Sequence, residues 1–225
     1  RQSQTDKVSK AWASIASVKV VPGPPKAGPG QPEAYSPQKQ ALKDEIDQLK
    51  AVLRKTRPLG MERYENSAEH SWQVTLAALM LKDYAAEPVD INRVLRMLLI
   101  HDLCEIDTGD VIVYDAVGSE HEEAEATATQ RILGMLPNDM GDEYIALWHE
   151  FETAKSSDAR FAKALDRALP LIHNLNDQGH SWQSHGITKE QVKTVNGGRI
   201  KKGCPQLWEL LEPLVDEAEL KGWLC

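Results

Sequence analysis

Four side chains are candidates for shared chemistry: His70 in Glu69-His70-Ser71-Trp72, the pair His101-Asp102, and Asp166 in Ala164-Leu165-Asp166-Arg167. Asp102 falls four residues after Leu98 and eight after Val94, so helical spacing aims it to the side of those apolar residues. Asp166 follows Leu165 and precedes Leu169 by three positions, inside another apolar stripe. A carboxylate on a core-facing stripe is costly unless it is paired or bound to a cation. Two imidazoles and two carboxylates brought together form an N/O donor set for one divalent ion: Mn, Co, Fe, Zn, Ni or Mg, and Ca less well. Each residue alone has a plainer account. His70 reads equally as a hydrogen-bonded core histidine, and Asp166 as the partner of a nearby Arg or Lys. The conjunction, in this order and on different helices, is what points to a metal.

Those residues need elements to hold them. Ser36-Pro37 reads as a cap and a first-turn proline, and Leu42, Ile46, Leu49 and Leu53 recur at helical spacing to about Lys55. Ser67 opens a second helix to about Tyr84, with Trp72, Leu76, Leu79 and Met80 as its apolar face. Asp90 caps a third, whose broad stripe of Ile91, Val94, Leu95, Leu98 and Leu99 leads into His101-Asp102. Ser119 with Glu122 fits a capping box for a fourth helix, to Leu136. A fifth lies around Tyr144–Phe151, and a sixth, from Phe161 to Ile172, carries Asp166 and meets a kink or late break at Pro170. Thr188 with Gln191 caps a short seventh, and Leu207–Val215 lie in the last. No alternating strand pattern interrupts this series. The expected fold is all-α, a compact helical bundle.

Three strings carry a family resemblance: Arg63-Tyr64-Glu65-Asn66-Ser67-Ala68-Glu69-His70-Ser71-Trp72, then Met97-Leu98-Leu99-Ile100-His101-Asp102-Leu103-Cys104-Glu105-Ile106-Asp107-Thr108-Gly109-Asp110, then Lys163-Ala164-Leu165-Asp166-Arg167. Together they resemble the HD-domain metal-dependent phosphohydrolases, and within them the branch containing bacterial 5′-deoxynucleotidases. The resemblance runs over about residues 38–223. It implies that His70, His101, Asp102 and Asp166 ligate the metal. It implies that Glu105 sits near the attacking water and the phosphate, that Asp110 contacts the sugar side of the substrate, and that Arg54 binds phosphate. A one-residue shift in the loop before Arg63 makes Arg57 the alternative to Arg54. Lys55 stands where that branch has a tryptophan, so base and sugar preference are left open. The implied reaction is hydrolysis of a (deoxy)nucleoside 5′-monophosphate. Other phosphorylated metabolites, nucleotide di- and triphosphates, or a non-catalytic module with a structural metal are the alternatives. A homodimer is also implied, with Leu207–Val215 either its interface or intramolecular core.

Composition narrows the remaining choices. The 225 residues carry 26 Lys+Arg and 34 Asp+Glu, a formal net charge of −8, which argues against a nucleic-acid polymer as partner. No apolar run is long enough to cross a membrane, and residues 1–34 contain no continuous apolar segment of the secretory type. Cys104, Cys204 and Cys225 are few, scattered and odd in number, which suits a reducing, cytoplasmic setting better than a disulfide framework. Residues 1–35, dense in Pro and Gly over Val21–Gly30, read as an N-terminal tail ahead of a domain over 36–225. Two further expectations concern packing. His121-Glu122-Glu123-Ala124-Glu125 reads as a solvated helix start, and Trp72, Trp148, Trp182 and Trp208 read as packing residues.

Overall fold

In the computed structural model, residues 37–115 and 118–225 are described, so the expected tail over 1–35 lies outside the described residues. The described residues form helices and no extended strand; one isolated antiparallel bridge joins Leu53 to Asn66.

The chain opens with α1 (Pro37–Ile46), which tightens into a 3₁₀ turn over Asp47–Ala51. The expected helix to Lys55 therefore stops early. Leu49 is buried, but Leu53 is exposed, and Arg54 lies beyond the last helical turn. There Arg54 N–H donates to the Glu65 carbonyl at 2.8 Å, and Glu65 N–H to the Thr56 carbonyl at 2.9 Å. Next comes α2 (Ser67–Leu81), whose N-cap is Asn66 rather than Ser67. Asn66 and Glu69 form a reciprocal capping box that fixes the helix start three residues before His70.

Asp90 caps α3 (Ile91–Ile100) as expected, accepting from the N–H groups of Asn92 and Arg93. A turn over residues 101–104 leads into the short α4 (Glu105–Thr108). Then follow α5 (Ser119–Leu133), α6 (Asn138–Thr153) and α7 (Ser157–Asn176). The capping box expected from Ser119 and Glu122 is absent; Gly118 occupies the N-cap without a side-chain bond. Pro170 does not end α7, which continues to Asn176. The last elements are α8 (His180–Ser184), α9 (Lys189–Val192), a π-helical turn at Lys193–Gly197, α10 (Gly198–Gly203) and α11 (Pro205–Leu220). Thr188 and Gln191 do form the capping box of α9.

The long helix α7 is the spine. Its first half packs with α2, α3 and α6 around Val74, Met97, Leu98, Phe151 and Leu165. Its second half joins α8–α11 around Leu171, Trp182, Ile200, Trp208 and Val215. Leu211 and Val215 of α11 are thus intramolecular core, so α11 turns its main apolar face inward. Asp166 stands near the junction of these two cores, and α2 and α3 bring the histidines to it.

α2 departs from its expected facing. Trp72, Leu76, Leu79 and Met80 are exposed, Trp72 at 65% and Met80 at 72%, while Val74, Ala78 and His70 are fully buried. The helix buries its small residues and its histidine where it meets α3 and α7, and turns its large side chains outward.

Candidate metal centre

Each expected ligand arrives from a different segment. His70 is one turn into α2, His101 and Asp102 lie in the turn that ends α3, and Asp166 is midway along α7. All four side chains are buried. Donor atoms of His70, His101 and Asp102 lie within 4.8 Å of one another. Asp166 Oδ1 lies 3.1 Å from His70 Nε2 and 3.4 Å from His101 Nε2. His101 Nε2 is 3.0 Å from Asp102 Oδ1.

The histidine rings are held from behind. His101 Nδ1 is 2.9 Å from the Leu98 carbonyl, which can only accept, so this nitrogen carries the proton and Nε2 presents a lone pair in the neutral ring. Trp148 Nε1–H donates to the His101 carbonyl at 3.1 Å, and the Phe151 ring meets the imidazole edge-on at 5.0 Å between centroids. His101 Nε2 is buried with no hydrogen-bond partner. An orphaned imidazole nitrogen aimed at two carboxylates is what a cation site needs and what a closed core avoids. The residues present fit a divalent ion.

Around these donors stands a charged pocket. Arg54 is buried, with Nη1 2.8 Å from Asp102 Oδ2, 3.6 Å from Glu105 Oε1 and 3.5 Å from Asp110 Oδ1. Arg57 instead faces Asp177 at 3.4 Å and does not line the pocket, so of the two alternatives Arg54 is the one the fold brings to the cluster. Glu105 begins α4, and its N–H closes a turn on the Asp102 carbonyl at 3.0 Å. That turn, not a continuous helix, puts Glu105 beside Asp102. Ser67 Oγ–H donates to Glu105 Oε2 at 2.5 Å. Gly109, at φ +72°, ends α4 in a conformation that L side chains avoid and returns the chain so that Asp110 faces Arg54.

Charge states follow from the packing. Burial and the Asp102 charge push the Glu105 carboxyl well above the usual range, against the pull of Arg54 and Ser67. Burial likewise raises Asp110, with Arg54 opposing. Asp166 goes the other way. Burial opposes its charge, but the Arg167 charge and the hydrogen bond with His70 outweigh burial and hold the carboxyl well below the usual range. The pocket therefore pushes the Glu105 and Asp166 carboxyls in opposite directions, a separation that acid–base chemistry uses.

Several neighbours of the site carried no signal in sequence. Arg167, beside Asp166 in the chain, lines the pocket as a second cation, 3.4 Å from its neighbour. His121, Glu122 and Glu125 of α5, expected to be solvated, form one wall of it, with His121 Nε2 3.1 Å from Glu125 Oε1. Lys163 is buried, bonded to Glu152 and stacked over Phe151 at 4.1 Å. Cys104 is buried, and burial lifts its thiol far above its ordinary value, which matches the expectation of a small packing residue.

An all-α frame with His70, His101-Asp102 and Asp166 converging in one buried cluster defines a class, and the family comparison agrees. Residues 46–208 match the HD domain model, and the chain belongs to the HD domain family. Among solved structures it is similar to a Magnetospirillum magnetotacticum protein described as a predicted metal-dependent phosphohydrolase. The identity is 45%, the TM-score is 0.79, and 84% of this chain and 94% of that one are covered. A Pyrococcus horikoshii structure at 18% identity and TM-score 0.57 shares the fold. Among curated proteins, 5′-deoxynucleotidase HDDC2 of Homo sapiens is 32% identical over 113 residues. That match takes in 50% of this chain, which spans about half the length of the human relative, 54%. HDDC2 of Danio rerio is 30% identical over 158 residues, 68% of this chain and 74% of that protein. No helix among the described residues is long and apolar enough to cross a membrane.

Proposed function

We propose that this protein is a metal-dependent phosphohydrolase that converts a (deoxy)nucleoside 5′-monophosphate and water to nucleoside and inorganic phosphate. One observation carries the reading: the imidazole and carboxylate donors of His70, His101, Asp102 and Asp166 meet in one buried cluster, with a buried arginine and Glu105 beside it. The similarity to the 5′-deoxynucleotidases HDDC2 supports the substrate class.

His70, His101, Asp102 and Asp166 would hold one divalent ion. When bound, such an ion supplies Lewis acidity, lowering the pKa of water and offsetting phosphoryl charge. The rest is the work of this chain. Arg54 presents guanidinium N–H groups to the phosphoryl oxygens, fixed in place by Asp102 and Asp110. Glu105, whose carboxyl is raised by burial and the Asp102 charge, donates a proton to the leaving 5′-oxygen as the P–O bond breaks; the water oxygen bonds to phosphorus and gives up a proton that returns to the Glu105 carboxylate. Asp110 turns toward Arg54 and orients the sugar hydroxyls as an acceptor. An acidic protein needs local positive charge to take an anionic substrate, and Arg54, Arg167 and the ion provide it.

The assembly we propose is a homodimer in which a second copy covers the exposed Trp72–Leu76–Met80 line of α2, with α11 left to the intramolecular core. The free, buried Cys104 and Cys204 suit a reducing, cytoplasmic setting.

Phosphate release from a panel of ribo- and deoxyribonucleoside mono-, di- and triphosphates tests the substrate class. Turnover of the monophosphates is expected. Turnover of di- or triphosphates alone, or of other phosphorylated metabolites alone, would replace the substrate. No turnover with metal bound would leave the ion a structural role.

A further inference from the structure

Glu65 has no place in the chemistry above, yet it is among the most buried side chains of the molecule, 1% exposed. Its backbone is clamped on both sides, N–H to the Thr56 carbonyl and carbonyl to the Arg54 N–H. That short pairing sets the Glu65 carboxylate beneath the metal cluster, on the far edge of the His70 ring. Oε2 is 3.4 Å from His70 Nδ1, 3.7 Å from Arg54 Nε and 3.8 Å from His173 Nδ1. Glu65 Oε2, His70 Nδ1 and His173 Nδ1 are all buried and none has a hydrogen-bond partner, so three polar atoms stand together unsatisfied, at 3.4 and 3.8 Å from the carboxylate oxygen. His70 Nε2, on the opposite edge, faces Asp166.

We infer that Glu65 is a positioning residue: it accepts the Nδ1–H of His70, holds that ring with Nε2 turned to the metal cluster, and steadies Arg54 with the same carboxylate. A ring nitrogen that donates to a carboxylate leaves the other nitrogen as the lone-pair donor, and outer carboxylates of this kind fix both ring orientation and basicity. His101 obtains the same result from the Leu98 carbonyl. His70 Nδ1 has no hydrogen-bond partner, and Glu65 Oε2, 3.4 Å away, is the carboxylate oxygen placed to accept from it. Sitting against Nδ1 rather than Nε2, Glu65 is not itself a ligand. Its hold on Arg54 ties the phosphate-binding group to the metal-binding one through a single side chain.

This inference rests on the metal reading, and the test separates the two. The full chain, freed of metal, is titrated with Co²⁺ against a chromogenic chelator, and the visible absorption of the Co²⁺ form is recorded. If the unaltered protein binds no Co²⁺, the metal reading fails. If it binds, Glu65→Ala is expected to weaken binding by about 10–100-fold and to change the Co²⁺ spectrum, with far-UV circular dichroism retained. Glu65→Gln, which keeps an oxygen acceptor for Nδ1–H, is expected to recover most of that loss. Wild-type affinity and spectrum in Glu65→Ala would overturn the inference. If that variant does not fold, Glu65→Asp carries the test. Withdrawing the acceptor by one methylene is expected to weaken Co²⁺ binding, and unchanged binding would overturn the inference.

Discussion

Glu105 and His70 are both shifted toward holding a proton, for different reasons, and each shift has a measurable consequence. Burial and the Asp102 charge raise the Glu105 carboxyl well above the usual range. If it delivers that proton to the leaving group, Glu105→Ala should lower kcat by about 10²–10⁴-fold with the fold retained. Steady-state kinetics beside circular dichroism check this. For His70, burial and the Arg54 charge oppose the proton, but bonds to Asp166 and Glu65 raise its pKa from 6.5 to about 9 in the metal-free protein. The folded pKa lies above the unfolded one, so this proton stabilises the metal-free fold fully below pH 6.5 and ceases to do so as pH rises through about 9. A metal at Nε2 must displace it. Apparent Co²⁺ affinity should therefore increase from pH 6.5 to 9, with proton release on binding visible in a weakly buffered titration. The cysteines give a simpler contrast. Cys225 is exposed while Cys104 and Cys204 are buried with raised pKa values, so a thiol reagent should label Cys225 alone in the native protein.

At the scale of elements, the site depends on how closely α10 approaches α7. A side chain at Gly203 would meet the Arg160 carbonyl oxygen at 2.1 Å and the Ala164 Cβ at 2.7 Å, two residues before Asp166. Gly203→Ala should force the helices apart and destabilise the fold by about 1–3 kcal/mol, read as a lower melting temperature. The helices themselves were largely legible. α3 reads from Asp90 and its apolar stripe, and α9 from Thr188 and Gln191, because those signals are local. Two things were not. The α2 stripe of Trp72, Leu76, Leu79 and Met80 has core-like spacing, but periodicity says only that a helix has an apolar face, not which neighbour covers it. Arg54 reads as a helix end, yet its position comes from pairing with Glu65, across a loop that sequence spacing cannot fold. The convergence of His70, His101, Asp102 and Asp166 was legible because buried histidines and carboxylates are groups that a core does not tolerate alone. Arg167, Ser67 and Glu65 were not, since a charged or polar residue beside a ligand looks the same in sequence whether it faces the site or the solvent.

For the whole molecule, the α2 face is the test of assembly. Large apolar side chains gathered on one exposed helix face mark contact surfaces in soluble proteins. Trp72→Glu with Met80→Glu should shift the protein from dimer to monomer in light scattering after gel filtration; a monomeric wild type would contradict the proposed dimer. Charge acts at this scale too. The chain is net negative, and carboxylates crowd its pocket, so metal-free protein holds mutually repelling groups that an ion would relieve. Loading with about a hundred times the Kd of metal should stabilise the fold by about 2.7 kcal/mol and raise the melting temperature. Metal binding and phosphate release can be followed in one titration. Divalent metal is added stepwise to metal-free protein while bound metal and phosphate release from a deoxynucleoside 5′-monophosphate are followed together. Phosphate release rising in proportion to the first ion bound per chain is the predicted result. A fully loaded protein that releases no phosphate, or release that persists after the metal is stripped by a chelator, would contradict it.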